Sequence, residues 1–540
     1  FSIFKVDKIY SDAYNQVTNG NNESYPEVTQ SIVNAFEDGC LFMNYQGHGG
    51  EKGWAQESIL DIPTINGLRN PNNLPILFTA TCEFSRYDNP EFQSAGEKTL
   101  LNSNGGAIAL MTTTRSVYVS GNSAINNAFW TQYGFPKEDE PIPTMGELFS
   151  RLKNRPRLNS EDNKFALLGD VSLKVAFPEH LVVIDSINSI SEKIFADTLK
   201  AFSVIQIKGH INERLKGLYA NFNGVLDVEI YDKPIVKFTL NNDNSAGAIS
   251  YRNESSIIYK GNITIDNGYF NLNFIIPKDI NYEIGEGRAL FYAHNEVTDA
   301  AGSWRFLIGG SENVDVVDSV GPNVKAFIQD TLFNSKYTVN SNAYFMATVD
   351  DESGINATGS GIGRDMEVVI DKGTEMELRY VANSYFTFDQ NSYKSGVIHM
   401  PLSNLKPGKH IAYCKVWDIY NNSGYDQVEF VVAPKRTFII GDVVAYPNPV
   451  KSNQDLNISF SHNLLEEDLN ITINIYDISG RKLAEWSKIA FFANSKETIS
   501  CPMNELFRGG YITSGIYLYR INVQTMDGLV SSGSGKFILN

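Results

Sequence analysis

Two short stretches of this chain end in side chains able to do covalent chemistry. Cys40-Leu41-Phe42-Met43-Asn44-Tyr45-Gln46 leads into Gly47-His48-Gly49-Gly50, and Leu74-Pro75-Ile76-Leu77-Phe78-Thr79-Ala80-Thr81 leads into Cys82-Glu83. Each is an apolar run of strand length that stops at one reactive group, and in open α/β sheets catalytic groups collect at the carboxyl ends of parallel strands. His48 and Cys82 are therefore expected to meet. A thiol is a strong nucleophile as the thiolate, and a neighbouring imidazole that takes its proton provides that state near neutral pH. Taken singly, each residue has an ordinary structural reading: a strand-end cysteine is commonly an inert small hydrophobe, and a histidine in a glycine-rich turn can simply cap a loop. Together they make the constellation of a cysteine peptidase. The spacing between them leaves room for a short helix, Ile62 to Leu68, to cross between the two strands. Gly49 can expose its backbone N–H without steric cost, and with the N–H of Cys82 it would form the two-donor hole that an acyl-transfer oxyanion needs.

The elements that must position these groups follow from the pattern around them. Up to about residue 178, helical segments (Val28 to Glu37, Gly96 to Leu101, Thr144 to Leu152) alternate with short apolar strands such as Ala107 to Met111. Beyond "KVAFPEHLVVIDSIN" the pattern is almost purely strands separated by Asn, Asp and Gly turns, as in "NNDNSAG", "TIDNGYF" and "GEGRALFYAHN". This predicts two β-sandwich modules in series, with a seam at Gly321-Pro322. In the second module Asp350, Asp351, Glu352 and Asp365 offer hard oxygen ligands for Ca²⁺. Their spacing fits no EF-hand, and a solvated turn is the reading kept. A last boundary follows "VVAPKRTFIIGDV", with a linker near Gly441, and leads to a small sandwich of alternating strands. The expected domains are residues 1–178, 179–316, 317–435 and 436–540.

Composition narrows the function classes. At 540 residues with 42% hydrophobic and 12% aromatic side chains, several cores can form. The net charge of −17, with no basic stripe, argues against a nucleic-acid partner. No run approaches the ~18 uninterrupted apolar residues of a transmembrane helix. Cys40, Cys82, Cys414 and Cys501 are scattered, with neither disulfide-scaffold nor zinc spacing. Only Cys82 has a setting for chemistry; the other three read as structural.

Four motifs in order, "NAFEDGCLFMNYQGHGGEKGW", "NNLPILFTATCEF", "SNGGAIALMTTTRSVYVSG" and "FALLGDVSLKV", resemble the gingipain family of cysteine peptidases, whose fold is caspase-like. The resemblance implies His48 as general base and Cys82 as nucleophile, with Gly49 and Cys82 supplying the oxyanion hole. Tyr118 matches an aromatic position beside the family's substrate pocket, and Glu83, directly after the nucleophile, is the other expected substrate-binding residue. No metal and no cofactor is expected. The match covers roughly residues 1–178, the second half of a gingipain catalytic domain. The family's histidine-orienting and specificity carboxylates lie in its first half and have no counterpart here. Asp12 is an orienting candidate by chemistry alone, since a carboxylate beside an imidazole raises its basicity; a solvated loop residue is the reading kept. Because the chain opens in a strand-like "FSIFKV" without initiator Met or signal peptide, it reads as the downstream part of a longer protein.

The last hundred residues resemble the C-terminal signal domain of type IX secretion cargo. The matching motifs are Pro447-Asn448-Pro449, Tyr476-Asp477 with Gly480-Arg481, Gly515-Ile516-Tyr517 and Lys536-Phe537-Ile538. The expected fold is thus an α/β caspase/gingipain-like subdomain followed by three β-sandwich domains. The combination implies a cell-surface sortase, associated with the outer membrane of a Bacteroidota-like Gram-negative bacterium. It would cut the C-terminal signal domain from cargo and pass the acyl group to a lipopolysaccharide amine or to water. The implied partners are a PorV-like outer-membrane β-barrel, cargo signal domains and lipopolysaccharide. The closing strand, Lys536 to Leu539, is expected to present an open edge for docking. Two other classes stand beside this one: a secreted gingipain-like protease that is itself cargo, and a non-catalytic surface scaffold. Retention of His48, Gly49 and Cys82 together weighs against the scaffold.

Overall fold

The computed structural model describes the chain except for residues 1–2, 21, 138–139, 157–159, 215, 245–246, 314–317, 330–337, 360–362, 453, 465–466, 494–495, 504–512 and 527. Its first unit is a four-stranded sheet. Strands β1 (Phe42–Gln46), β5 (Ile76–Ala80) and β6 (Ala109–Thr113) run parallel, and β7 (Phe165–Leu168) closes the sheet antiparallel to β6, in the order β1-β5-β6-β7. Between β1 and β5 the chain forms a small meander of β2 (Gly49–Gly50), β3 (Gly53–Trp54) and β4 (Leu60–Asp61). Every residue of β5 and β6 is buried, as in a sheet covered on both faces.

The two cores follow the alternation of the strands. Leu77 and Leu110 point to one face, against helices α1 (Pro26–Asp38), α2 (Ile62–Gly67) and α3 (Ala95–Leu101). Ile76, Phe78, Ala80, Ala109 and Met111 point to the other, against α4 (Val119–Ala128) and α5 (Met145–Lys153). Helix α1 shows why such segments fold as they do. Pro26 opens it, Val28, Ile32 and Phe36 recur on one face and are buried, and Gly39 at φ +89° ends it. Ser94 with Glu97, and Thr144 with Glu147, form capping boxes that start α3 and α5. The sequence reading missed α4. Its "VSGNSAINNA" is rich in poor helix formers, and its contacts to the sheet hold it, with Asn126 donating to Asn44 and Gln46 to Ser123.

From His180 to Val432 the chain is almost entirely strands, as expected, but their sheets are joined. A parallel pair at Gly261 and Phe388 links the strands before the expected seam to those after it, and one contiguous core runs from Val182 to Val432. Glycine permits this contact: a Cβ at Gly261 would sit 2.9 Å from the Phe388 Cβ. The Tyr259 ring stacks on Phe388 at 4.9 Å. The boundary expected between residues 316 and 317 lies outside the described residues.

The tail is a separate two-sheet sandwich with its own core, from Phe438 to Leu539. Gly441 lies inside its first strand, Ile440–Tyr446, and not in a linker. Asn340, almost fully buried, bonds Thr437 and the Asn463 carbonyl, tying the sandwich to the preceding unit. The Tyr476-Asp477…Gly480-Arg481 motif is a turn in which the Asp477 carboxylate accepts from the N–H groups of Ser479 and Arg481, with Gly480 at φ +84°. The closing edge is not open as expected. Asn448 donates to Lys536 O and accepts from Ile538 N–H, while Val450 N–H donates to Ile538 O and accepts from Asn540 N–H through its carbonyl. The Pro447-Asn448-Pro449 segment thus satisfies the groups that a partner strand would have used. Among the described residues, no helix is long and apolar enough to cross a membrane.

Candidate active site

Strands β1 and β5 pair in register, Gln46 opposite Ala80, and Gly47 N–H continues the ladder to Ala80 O at 3.3 Å. His48 and Cys82 each stand two residues beyond that last pair. They therefore leave the sheet side by side, at the carboxyl ends of adjacent parallel strands about 4.8 Å apart. His48 is exposed and Cys82 half-buried. Among the described residues no hydrogen bond joins the imidazole to the thiol; Cys82 Sγ instead donates to Val117 O at 3.5 Å.

The glycines flanking His48 are required by close packing. A Cβ at Gly47 would lie 2.6 Å from the Tyr45 hydroxyl, and one at Gly49 would lie 2.6 Å from Thr81 Oγ1 and 2.8 Å from Gly53 O. The His48 carbonyl accepts both the Tyr45 hydroxyl (2.6 Å) and Ala55 N–H (2.7 Å), which pins the loop under the stacked rings of Tyr45 and Trp54. Because His48 and Ala55 share a ladder bond, the next opposed pair, Gly49 and Trp54, is the non-hydrogen-bonded kind. The Gly49 N–H therefore points away from β3, as an oxyanion donor must.

Glu51 links the two loops. Its carboxylate accepts from Arg86 at 2.8 Å and Asn89 at 2.6 Å, and these hydrogen bonds, Asn89 first, hold it below the usual carboxylate range. Glu83 sits at φ +52°, a left-handed conformation uncommon for a non-glycine residue, and turns the chain sharply after Cys82. A cleft of about 850 Å³ opens beside the loops, lined by Gly50, Glu51 and Ala55 on one side and Glu83, Arg86 and Phe92 on the other. Its walls begin just past His48 and Cys82, and Glu83 is the expected substrate-contacting residue that lines it. Tyr118, 75% exposed, caps the start of α4 on the side of Cys82 where Val117 lies. It does not line the cleft.

The other cysteines behave as structural residues. Burial, with the nearby negative Asp7, pushes Cys40 up to about 11, and burial pushes Cys414 and Cys501 up to about 12. Asp12 neither orients His48 nor stands solvated. Its carboxylate accepts the backbone N–H groups of Asn241 and Asn242 and the Asn242 side chain, holding a loop of the next unit. Burial opposes the ionised form there, and those hydrogen bonds prevail to keep Asp12 below its usual range. Among the described residues, of the four acidic residues considered for Ca²⁺ only Asp351 joins a cluster, with Asp318 and Asp418, their carboxylate oxygens within 4.8 Å of one another. Sequence reasoning did not find Asp318 or Asp418, which no local spacing connects to Asp351.

The segments that carry these features match known families. Residues 1–176 match the model of Peptidase family C25, a family of cysteine peptidases, and residues 444–528 match that of the secretion system C-terminal sorting domain. The chain thus combines a segment similar to a cysteine-peptidase family with one similar to a secretion sorting domain. It is similar to PorU: the crystal structure of dimeric latent PorU from Porphyromonas gingivalis aligns at 27% identity over 81% of this chain, with a TM-score of 0.33. This chain spans 41% of the length of that one. A structure described as a protease aligns at 14% identity over 51% of this chain and 55% of its own, with a TM-score of 0.22. No curated protein sequence matches. The resemblance drawn from the sequence motifs is borne out at both ends of the chain.

Proposed function

We propose that this chain is the C-terminal portion of a cell-surface cysteine sortase, with a caspase-like subdomain at residues 1–178, β-modules at 179–316 and 317–435 that share one core, and a tail sandwich at 436–540. The observation that supports the proposal is the in-register pairing of β1 and β5, with His48 and Cys82 each two residues beyond its last pair. His48 takes the thiol proton, and Cys82 Sγ attacks the carbonyl carbon at the junction between cargo and its signal domain. The tetrahedral oxyanion is met by the N–H groups of Gly49 and Cys82. Collapse to the thioester expels the signal domain, whose amine leaves with the proton returned by His48. A lipopolysaccharide amine or water then resolves the thioester. Tyr118 and Glu83 contact the substrate from opposite sides of Cys82.

The tail sandwich serves as a docking module on an outer-membrane β-barrel of the secretion system. Because Asn448 and Val450 cover the closing edge, docking uses another surface of the sandwich. The test is the mass of exported cargo in cells whose full-length protein carries Cys82→Ala. Cargo that keeps its signal domain is expected, and cargo of wild-type mass would remove Cys82 from the mechanism.

A further inference from the structure

The segment that faces the Cys82 thiol is held by the half-buried ion pair of Glu161 and Lys164. Thr114 donates its N–H and hydroxyl to Lys164 O, at 2.9 and 3.1 Å. The Lys164 ammonium donates to Ser116 O at 2.8 Å, and Tyr118 N–H donates to Glu161 Oε2 at 3.0 Å. The Glu161 side chain is 8% exposed and also accepts Lys164 at 2.9 Å. Those two bonds, Lys164 first, hold its carboxyl below the usual range. Beneath the pair, Arg155 bonds Asp162 at 2.7 Å, with both side chains buried, and fixes the short turn Ser160–Lys164 that carries Glu161 and Lys164. The clamp therefore bonds backbone atoms on both sides of Val117, the residue whose carbonyl accepts the Cys82 S–H.

We propose that Glu161 is a positioning residue for Cys82. Through Tyr118 N–H and Lys164 it fixes the Val117 carbonyl as the resting acceptor of the thiol proton. The clamp therefore holds the S–H turned toward Val117 and away from His48 while the loop is in place. Substrate that engages the exposed Tyr118 and shifts this loop frees the S–H to turn to His48. The S–H bond then breaks, an imidazole N–H forms, and a thiolate remains, with no other reactant required. The titratable and charged groups around Cys82 among the described residues are His48, Glu83, Arg115 in its pair with Asp88, Glu161 and Lys164. The inference rests on Cys82 being the nucleophile.

The test is the rate at which iodoacetamide alkylates Cys82 across pH in the full chain, read by mass spectrometry of the Cys82 peptide. Glu161→Gln is expected to lower the midpoint of the pH profile and to raise the rate at neutral pH by about two- to tenfold, the weight of one weak hydrogen bond. Glu161→Asp, which keeps the charge, should stay nearer wild type. Cys40, half-buried in the same unit as Glu161, reports on the folding of that unit in the same digest. If Glu161→Gln exposes it, Lys164→Gln decides, at a side chain that is 31% exposed. Unchanged Cys82 profiles in the folded variants would overturn the inference. Normal cargo processing by Cys82→Ala would overturn the proposed function instead, so the two failures are separable.

Discussion

Replacing Asp351 by Asn should stabilise this protein above pH 6 and leave it unchanged near pH 4. Asp351 shares a site with Asp318 and Asp418, and its pKa is pushed up from 3.8 to about 6. Burial is the main cause. The N–H groups of Ser353 and Gly354 oppose it, and the negative charges of Asp418 and Asp318 add to it. Asp418 is raised as well, first by burial. Asp318 moves the other way, held down by the hydroxyl of Ser353 and the N–H of Val320. The excess proton of the folded state therefore sits on the Asp351–Asp418 side. An acid whose folded pKa is raised is favourable to folding at pH below the unfolded value, and that advantage is lost as pH rises from about 4 through about 6. A shift of about two units is worth roughly 3 kcal/mol at most, and some charge repulsion is relieved by solvent at this half-buried site. Asn removes the ionisation, and its Oδ1 can still accept both N–H groups. The expected gain is about 1 to 2 kcal/mol at pH 7.5 and none at pH 4. Urea unfolding of both proteins in EDTA across that range measures it. A variant that is less stable than wild type at pH 7.5, or a difference that does not depend on pH, would refute the reasoning.

Gly49→Ala should cost about 1 to 3 kcal/mol by forcing a methyl against Thr81 and Gly53, and should abolish cargo processing by moving the His48 loop. Thermal melting and a processing assay check the two parts. Asn448→Ala leaves the N–H of Ile538 and the carbonyl of Lys536 without their side-chain partner. It should cost about 1 to 3 kcal/mol and make the protein self-associate with concentration, as light scattering would show. Deleting residues 440–540 should release the protein from the outer membrane while residues 3–435 stay folded, because the two cores are separate. Fractionation and melting of the truncated protein test this, with a loss of about 1 to 3 kcal/mol where Asn340 is deprived of Asn463.

The position of His48 and Cys82 beyond the ends of two adjacent strands was legible because it depends on local pattern. An apolar run long enough for one strand, ended by glycine or a polar turn, places the next residue at the sheet's edge whatever the rest of the fold does. The glycines around His48 were legible as types but not in their cause, which is a tyrosine hydroxyl over one and a threonine over the other. Helix α4 was not legible, since its residues favour turns and tertiary contacts, those with β1 and the core around Ile125 among them, hold it helical. Asp12 was misread because its partners, Asn241 and Asn242, lie in another unit of the chain. The same distance hid the Asp318, Asp351 and Asp418 cluster, the Glu161–Lys164 clamp and the strand pair at Gly261 and Phe388. The Pro-Asn-Pro motif was recognised, but its action on the final strand required the register of the tail sandwich.

The central claim is that Cys82 carries the acyl group of the cleaved chain. The most direct measurement is the mass of the Cys82-containing peptide after the full-length protein is quenched in acid during turnover of a cargo spanning the signal-domain junction. The account predicts a thioester adduct on Cys82 equal in mass to the acyl fragment, discharged by added amine and absent in His48→Ala. Junction cleavage at the wild-type rate with Cys82 unmodified, or with Cys82 replaced by Ala, would contradict it.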